Sequence, residues 1–256
     1  MMVRMILYGC NGAMGQVITQ LVSEYADIEI AAGIDLNTEK KNNYPVYSSL
    51  EECREEADVI VDFTSAAAAD PLISYCNSRK IPLVCCSTGL SEDQKQKLEL
   101  CAEKTAVLRS ANMSLGVNLL LKLVKDAART LAPAGFDIEI VEKHHNRKLD
   151  APSGTALSLA DSINDAMDSQ YHYQYDRSTR HEKRDKKEIG ISAVRGGSIV
   201  GEHDVIFAGQ DEVVALSHSA YSRAIFAKGA IEAARFLAGK PAGLYTMSDV
   251  IDSQMA

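Results

Sequence analysis

Between residues 3 and 35 the chain lays out one unit that narrows its fold more than any other stretch. Val3 to Tyr8 is a short aliphatic run that stops at Gly9. Met14, Val17, Ile18, Leu21, Val22 and Tyr25 follow at the spacing of one buried helix face. Ile28 to Ile34 is a second apolar run, closed by Asp35. Asp58 to Phe63, Ile81 to Cys86 and Ala106 to Leu108 read as three more buried strands. Ser91 and Gln94 make a capping box that opens a helix from about Glu92 to Glu103. Strands that are apolar throughout, with helices between them, predict a parallel sheet covered on both faces.

The pattern changes after residue 112. Leu119, Leu120, Leu123, Val124, Ala127, Ala128 and Leu131 mark a long helix. From Phe136 to Glu142 apolar residues alternate with acids, which predicts a strand with one wet face. A helix around Thr155 to Met167 follows. Segments 189–195, 198–208 and 212–218 read as strands, the last two joined across Gly209, Gln210 and Asp211. A final helix carries Ile225, Phe226, Gly229, Ala230, Ala233, Phe236 and Leu237. Its apolar stripe needs cover, and the faces of the first sheet offer it. The expected class is α/β, with a first domain from 1–113 and 222–256 and a second from 114–221.

Composition serves mainly to exclude. A chain of 256 residues suits one large domain or two modest ones. A net charge of −8 speaks against a nucleic-acid partner, because phosphate binding needs clustered positive charge. No apolar run approaches the roughly 20 residues of a membrane span. The N-terminal run ends in glycines without a small-residue cleavage site, so it reads as a strand and not a signal peptide. The six cysteines, Cys10, Cys53, Cys76, Cys85, Cys86 and Cys101, show no C-x-x-C spacing. Reduced thiols in a cytoplasmic protein are expected, and no metal site. Residues 176–188 hold ten charged residues and one His. A solvated, mobile loop is expected there, with a charged lid over a bound anion as the alternative.

Gly9, Gly12 and Gly15 stand at the junction of the first strand and first helix, spaced G-x-x-G-x-x-G. Glycine lets backbone turn sharply and approach a pyrophosphate with no Cβ in the way. The helix start offers free N–H donors and about half a positive charge. Asp35 lies at the end of the second strand, 20 residues past Gly15, where an acid can accept both ribose hydroxyls. The first domain is therefore expected to be Rossmann-type, and the second α+β with a mixed open sheet. A carboxylate at Asp35 repels the extra phosphate of NADP, and no Arg follows it directly. Lys40 and Lys41 come later and could swing in. A preference for NADH over NADPH is the expectation.

The densest chemistry runs from Glu142 to Ala156. Two adjacent histidines, His144 and His145, precede Lys148 by three and four residues, which brings a proton donor and a cation together. Ser153, Gly154 and Thr155 stand at a helix start, where hydroxyls and unpaired N–H groups form a nest for a carboxylate. Pro152 fixes the approach to that helix. Singly, each residue has a plain structural use: a satisfied core histidine, a surface cation, a helix cap. Clustered in one loop of a dinucleotide-binding chain, they read as a site for a small anionic substrate with acid catalysis beside it. Adjacent histidines in extended chain point apart, which disfavours zinc.

The E-x-HH-x-x-K-x-DAPSGTA stretch at 142–156 resembles the signature of the 4-hydroxy-tetrahydrodipicolinate (dihydrodipicolinate) reductase family. The resemblance runs the length of the chain. It includes Val61-Asp62-Phe63-Thr64, Ser87-Thr88-Gly89, Ala111-Asn112-Met113-Ser114, Arg195-Gly196-Gly197, Gly201-Glu202-His203 and Ser222-Arg223. It implies hydride delivery from NADH or NADPH to C4 of a cyclic imine dicarboxylate, with loss of the hydroxyl as water. It implies His144 as general acid/base and Lys148 as the proton donor to carbon. His145, Ser153, Gly154 and Thr155 would hold the carboxylates. Gly9, Cys10, Asn11, Gly12, Ala13, Met14 and Asp35 would hold the adenosine diphosphate part. Cys86, Ser87, Thr88, Ser110, Ala111, Asn112 and Met113 would line the nicotinamide and ribose side. It also implies a homotetramer built through the second domain's sheet. Domain closure about linkers near 113–118 and 219–223 is expected.

Two positions depart from the family pattern. The family's glycine loop reads G-A-x-G-R-M-G, whereas this chain has Cys10 and, in place of the Arg, Ala13. A charged hydrogen bond is worth about 1.5–3 kcal/mol, so weaker dinucleotide binding is expected, most of all for NADPH. Two other classes share parts of the pattern. Another two-domain dehydrogenase would share the glycine loop but has no need of the His–Lys segment. A dinucleotide sensor would bind NADH without consuming it.

Overall fold

The computed structural model describes residues 2–39 and 42–255. Lys40 and Lys41, the late-coming cations near Asp35, lie outside the described residues. The chain divides into two compact units: one holds the residues up to Leu115 and those from Arg223 onward, the other is Gly116–Ser222.

The first unit begins with β1 (Val3–Tyr8), α1 (Ala13–Val22), β2 (Ile28–Ile34), β3 (Val46–Tyr47) and β4 (Val59–Asp62). It continues with α2 (Ala69–Arg79), β5 (Leu83–Cys85), α3 (Glu92–Ala102) and β6 (Ala106–Arg109). Then α4 (Leu115–Leu131) leads into the second unit, which adds β7 (Asp137–His144), α5 (Gly154–Ala166), β8 (His172–Tyr175), β9 (Glu188–Arg195), β10 (Gly201–Ala208) and β11 (Val213–Ala220). The chain returns to the first unit with α6 (Ala224–Leu237), β12 (Gly243–Tyr245) and α7 (Met247–Met255).

The first sheet has the order β12-β6-β5-β4-β1-β2-β3, with every neighbouring pair parallel. Its strands are mostly apolar because both faces are covered. Met5, Leu7, Val59, Val61, Val84 and Leu108 pack with Ile18 of α1 and Ala230, Ile231 and Ala234 of α6. The alternate residues Ile6, Ile60, Leu83, Cys85 and Val107 pack with Leu72 and Cys76 of α2 and Leu98 of α3. The predicted capping box is present: Ser91 Oγ accepts the Gln94 N–H at 3.2 Å, and Gln94 Oε1 accepts the Ser91 N–H at 3.1 Å. The predicted C-terminal helix, α6, covers this sheet as expected. Its Gly229 lies so close to the Met113 carbonyl that no Cβ fits.

The second sheet has the order β11-β10-β7-β9-β8. β10 runs antiparallel to both β11 and β7, whereas β7, β9 and β8 run parallel, so the sheet is mixed. One face carries Ile138, Ile140, Val205 and Phe207 against Val124 of α4 and Leu159 and Ile163 of α5. The other carries Lys143, whose Nζ lies 3.0 Å from Glu202 Oε2 and 3.2 Å from Asp204 Oδ2.

Most of the charged stretch 176–188 is exposed loop, as expected, but two of its arginines are tied to the second sheet. Arg184 is largely covered, with 16% of its side chain exposed. It donates to Glu139 Oε1 (2.9 Å), Asp137 Oδ1 (3.0 Å) and the Ile138 and Glu188 carbonyls (2.7 and 2.6 Å). Arg177 donates to the buried Glu188. These two arginines fasten the stretch to β7 and β9, and the buried Glu188 needs such a partner.

Candidate active site

In the first unit, parallel strands bring all their carboxyl ends to one edge. Gly9 follows β1, Asp35 follows β2, Thr64 follows β4, Cys86 to Thr88 follow β5 and Ser110 to Met113 follow β6. Strand order reverses between β1 and β4, the switch point at which open α/β sheets bind ligands. Gly9 has φ +85°, and a Cβ on it would lie 2.9 Å from the Phe63 carbonyl oxygen. A Cβ on Gly15 would collide with the Gly9 and Cys10 carbonyls. The loop is therefore held tight against the strand ends by residues that must be glycine.

The N-cap of α1 is Gly12, and no side chain caps the helix. The first-turn N–H groups of a helix have no intrahelical partner. Gly12 and Ala13 are exposed, and Asn11 and Met14 half-buried. Asp35 Oδ2 accepts the Asn11 N–H at 2.9 Å. Ser87 Oγ is buried without a hydrogen-bond partner among the described residues, next to the exposed Thr88. Ser110 Oγ donates to the Asn112 carbonyl at 2.7 Å, turning the exposed Ala111 outward after β6. These residues fit a dinucleotide: a cradle that admits no Cβ, uncapped N–H donors, an acid at the second strand and an orphaned hydroxyl. Three of the expected residues offer it only backbone. The side chains of Cys10, Cys86 and Met113 are buried in the core beneath.

In the second unit the alternation of β7 puts Glu142 and His144 on the helix-covered face. Glu142 is fully buried. Its Oε2 lies 2.6 Å from His144 Nδ1. Arg195, from the end of β9, donates to both carboxylate oxygens at 2.7 and 2.6 Å. The Ser153 N–H donates to Oε1 at 3.0 Å. Burial pushes the Glu142 carboxyl up, but the bonds from Arg195, His144 and Ser153 outweigh it and hold its pKa below the ordinary range.

His144 meets His203 of β10 edge to face, with ring centroids 5.1 Å apart. His203 Nε2 lies 3.1 Å from Ser153 Oγ, which also accepts the Ala156 N–H at 3.2 Å as the N-cap of α5. Burial first, then the neighbouring His144, pushes His203 down to about 4, so it is neutral at neutral pH. Lys148 Nζ sits 2.8 Å from Asp150 Oδ1, and its charge also reaches His203. Gly154 is exposed and Thr155 half-buried in the first turn of α5. Pro152 stands just before the cap, not inside the helix. His145, one residue beyond the strand, is half-buried, and its Nδ1 has no hydrogen-bond partner among the described residues.

The site thus joins His144, Lys148 and the start of α5, as the sequence led one to expect. It adds Glu142, Arg195 and His203, to which sequence reading assigned no role. The available signal was the period of the strand. A carboxylate two residues before a histidine on a buried face must find donors, and Arg195 and His203 end or begin the neighbouring strands.

Residues 3–113 match the family model described as Dihydrodipicolinate reductase, N-terminus, and residues 116–251 match its C-terminus counterpart. The chain belongs to the dihydrodipicolinate reductase family. As a member of the dihydrodipicolinate reductases it is an NAD(P)H-dependent oxidoreductase. The 4-hydroxy-tetrahydrodipicolinate reductase of Caldanaerobacter subterraneus subsp. tengcongensis is 53% identical over 251 residues, covering 98% of this chain and 99% of its own. That of Clostridium tetani is 47% identical over 253 residues, covering 99% of this chain and 98% of its own. Among solved structures, the dipicolinate-bound dihydrodipicolinate reductase of Paenisporosarcina sp. TG-14 is similar, with a TM-score of 0.82 and 26% identity. That match covers 96% of this chain and 98% of the other.

Proposed function

We propose that the chain reduces 4-hydroxy-tetrahydrodipicolinate to tetrahydrodipicolinate in lysine and diaminopimelate biosynthesis. Beyond family membership, the observation that carries this reading is the buried His144 bonded to Glu142, which also takes the Ser153 N–H at the start of α5, with Lys148 in the loop between. When bound, reduced NAD(P)H supplies the hydride that goes to ring C4, and the ring hydroxyl leaves as water. His144 acts as general acid/base beside the ring, and Lys148 gives a proton to the carbon that accumulates charge. His145, Ser153, Gly154 and Thr155 hold the two carboxylates, using N–H donors of the helix start. Dipicolinate, a planar ring dicarboxylate, is the ligand named for the Paenisporosarcina enzyme, and it has the shape and charge this site would take.

The first unit is the dinucleotide-binding domain, and Gly9 to Met14 with Asp35 hold the adenosine end. NADH is preferred over NADPH, because Asp35 carries the anion and Ala13 leaves out the cation. The second unit binds substrate, and a homotetramer forms through the open face of its sheet, where Val213 is 63% exposed. Segments 113–118 and 219–223, where the chain crosses between units, act as hinges. A cytoplasmic location is supported by six free cysteines.

A coupled absorbance assay tests the reading. The preceding synthase makes the substrate in place from pyruvate and aspartate semialdehyde, and loss of NADH or NADPH is followed. Synthase-dependent consumption, faster with NADH, is the expected result. A folded protein that binds NADH and consumes none would reject the reading.

A further inference from the structure

We propose that Glu142 is the positioning residue of this site: it fixes the His144 ring with Nδ1 as the N–H donor and leaves Nε2 as the nitrogen that works on the substrate. The proposal rests on the reading of His144 as the acid/base.

Four contacts define the state of Glu142. Two come from Arg195 and one from the Ser153 N–H, and all three are donors. A buried carboxylate ringed by donors keeps no proton of its own. The fourth contact, 2.6 Å from His144 Nδ1, is therefore one in which the imidazole donates. A neutral imidazole has one N–H, so Nε2 is left as the acceptor. A carboxylate partner on the remote nitrogen is the usual device for fixing a working histidine's orientation and tautomer.

Arg195 gives this arrangement its second property. It balances the Glu142 charge, so His144 faces a neutral pair and not a bare anion. The Arg195 guanidinium also donates to the Asp150 carbonyl at 2.6 Å, so the same residue ties down the loop that carries Lys148. Gly201 completes the cradle. A Cβ on it would lie 3.1 Å from His144 Nε2 and 3.4 Å from Cδ2. Glycine at the start of β10 therefore keeps the working edge of the ring clear. Among the described residues, the charged and titratable groups around His144 include Glu142 on its own strand, His203 on β10 and, through Glu142, Arg195 on β9; the Lys148 charge reaches His203.

The test is ring-nitrogen NMR of the labelled protein, paired with steady-state kinetics on Glu142→Gln and Gly201→Ala. In the unaltered protein His144 should show the Nδ1–H tautomer when neutral. In Glu142→Gln the amide NH₂ faces Nδ1, and the ring should switch to the Nε2–H form. Turnover should fall about 10²–10³-fold with the substrate KM within about threefold. Gly201→Ala should keep the Nδ1–H tautomer yet lose turnover about tenfold or more. An Nε2–H tautomer in the unaltered protein overturns the proposal, and that spectrum decides alone if Glu142→Gln does not fold. Unchanged turnover in a folded Glu142→Gln also overturns it. Failure of the reductase reading looks different: no substrate-dependent cofactor loss in any form, whatever the spectrum.

Discussion

The Asp35 carboxylate accepts the backbone N–H of Asn11 at 2.9 Å, so the acid at the end of β2 is bonded to the glycine loop itself. Its other oxygen accepts the Asn37 N–H at 3.0 Å. The residue read as the ribose-binding acid is thus also a strut for the phosphate-binding loop. Asp35→Ala should raise the KM for NADH about 10–100-fold, the worth of a charged hydrogen bond or two. NADPH should suffer less, because the repelling charge is gone. Steady-state kinetics with both coenzymes check this; an unchanged ratio of the two would remove Asp35 as the discriminator.

Lys148 is held by the half-exposed Asp150, whose side chain is 57% exposed, so the pair adds little to stability. Lys148→Ala should lower turnover about 10²–10⁴-fold. The thermal midpoint should barely move, and NADH binding by titration should stay within about twofold. Equal losses of turnover and NADH binding would make Lys148 structural.

The buried His203 makes stability depend on pH. Its folded pKa of about 4 lies below the ordinary histidine value of 6.5, so the unfolded chain binds the proton more readily. Stability is then whole above about pH 6.5 and falls as pH drops toward 4, by roughly 3 kcal/mol from this group. His218, also pushed down by burial, acts in the same direction. Chemical denaturation across this range should show the fall. His203→Gln should flatten it, and a slope unchanged by that substitution would assign the loss elsewhere.

Arg184 decides between an anchored segment and a charged lid. Removing it takes the guanidinium from Asp137 and Glu139 and a donor from each of two strand carbonyls. Arg184→Ala should cost roughly 2–4 kcal/mol in unfolding free energy with turnover nearly intact. A drop in turnover without loss of stability would favour the lid.

Long, regular elements were legible in the sequence because local pattern and tertiary role agree there. β1 and β2 occupy the expected residues, and the Ser91 box opens α3 where its spacing says it must. The short strands β3, β8 and β12 were not legible. Two to four residues carry no period of their own, and they are strands only because a longer neighbour pairs with them. β7 runs on to His144, two residues past the predicted end at Glu142. That extension matters, since it turns His144 from a loop residue into one of a strand, facing the same way as Glu142. The His–Lys segment announced a site by composition. The Glu142–Arg195 pair did not, because residues 53 apart meet only once β7 and β9 lie side by side.

The covering helix α6 and the edge strand β12 belong to the first unit but follow the whole of the second in the chain. On a ribosome, the strands of the first sheet therefore emerge with the face built from Met5, Leu7, Val61 and Leu108 still missing Ala230, Ile231 and Ala234. The second unit, contiguous from Gly116 to Ser222, has everything it needs before that face can close. The N-terminal half of this protein is synthesised first and completed last, and in the interval its apolar face is what a nascent-chain chaperone would meet.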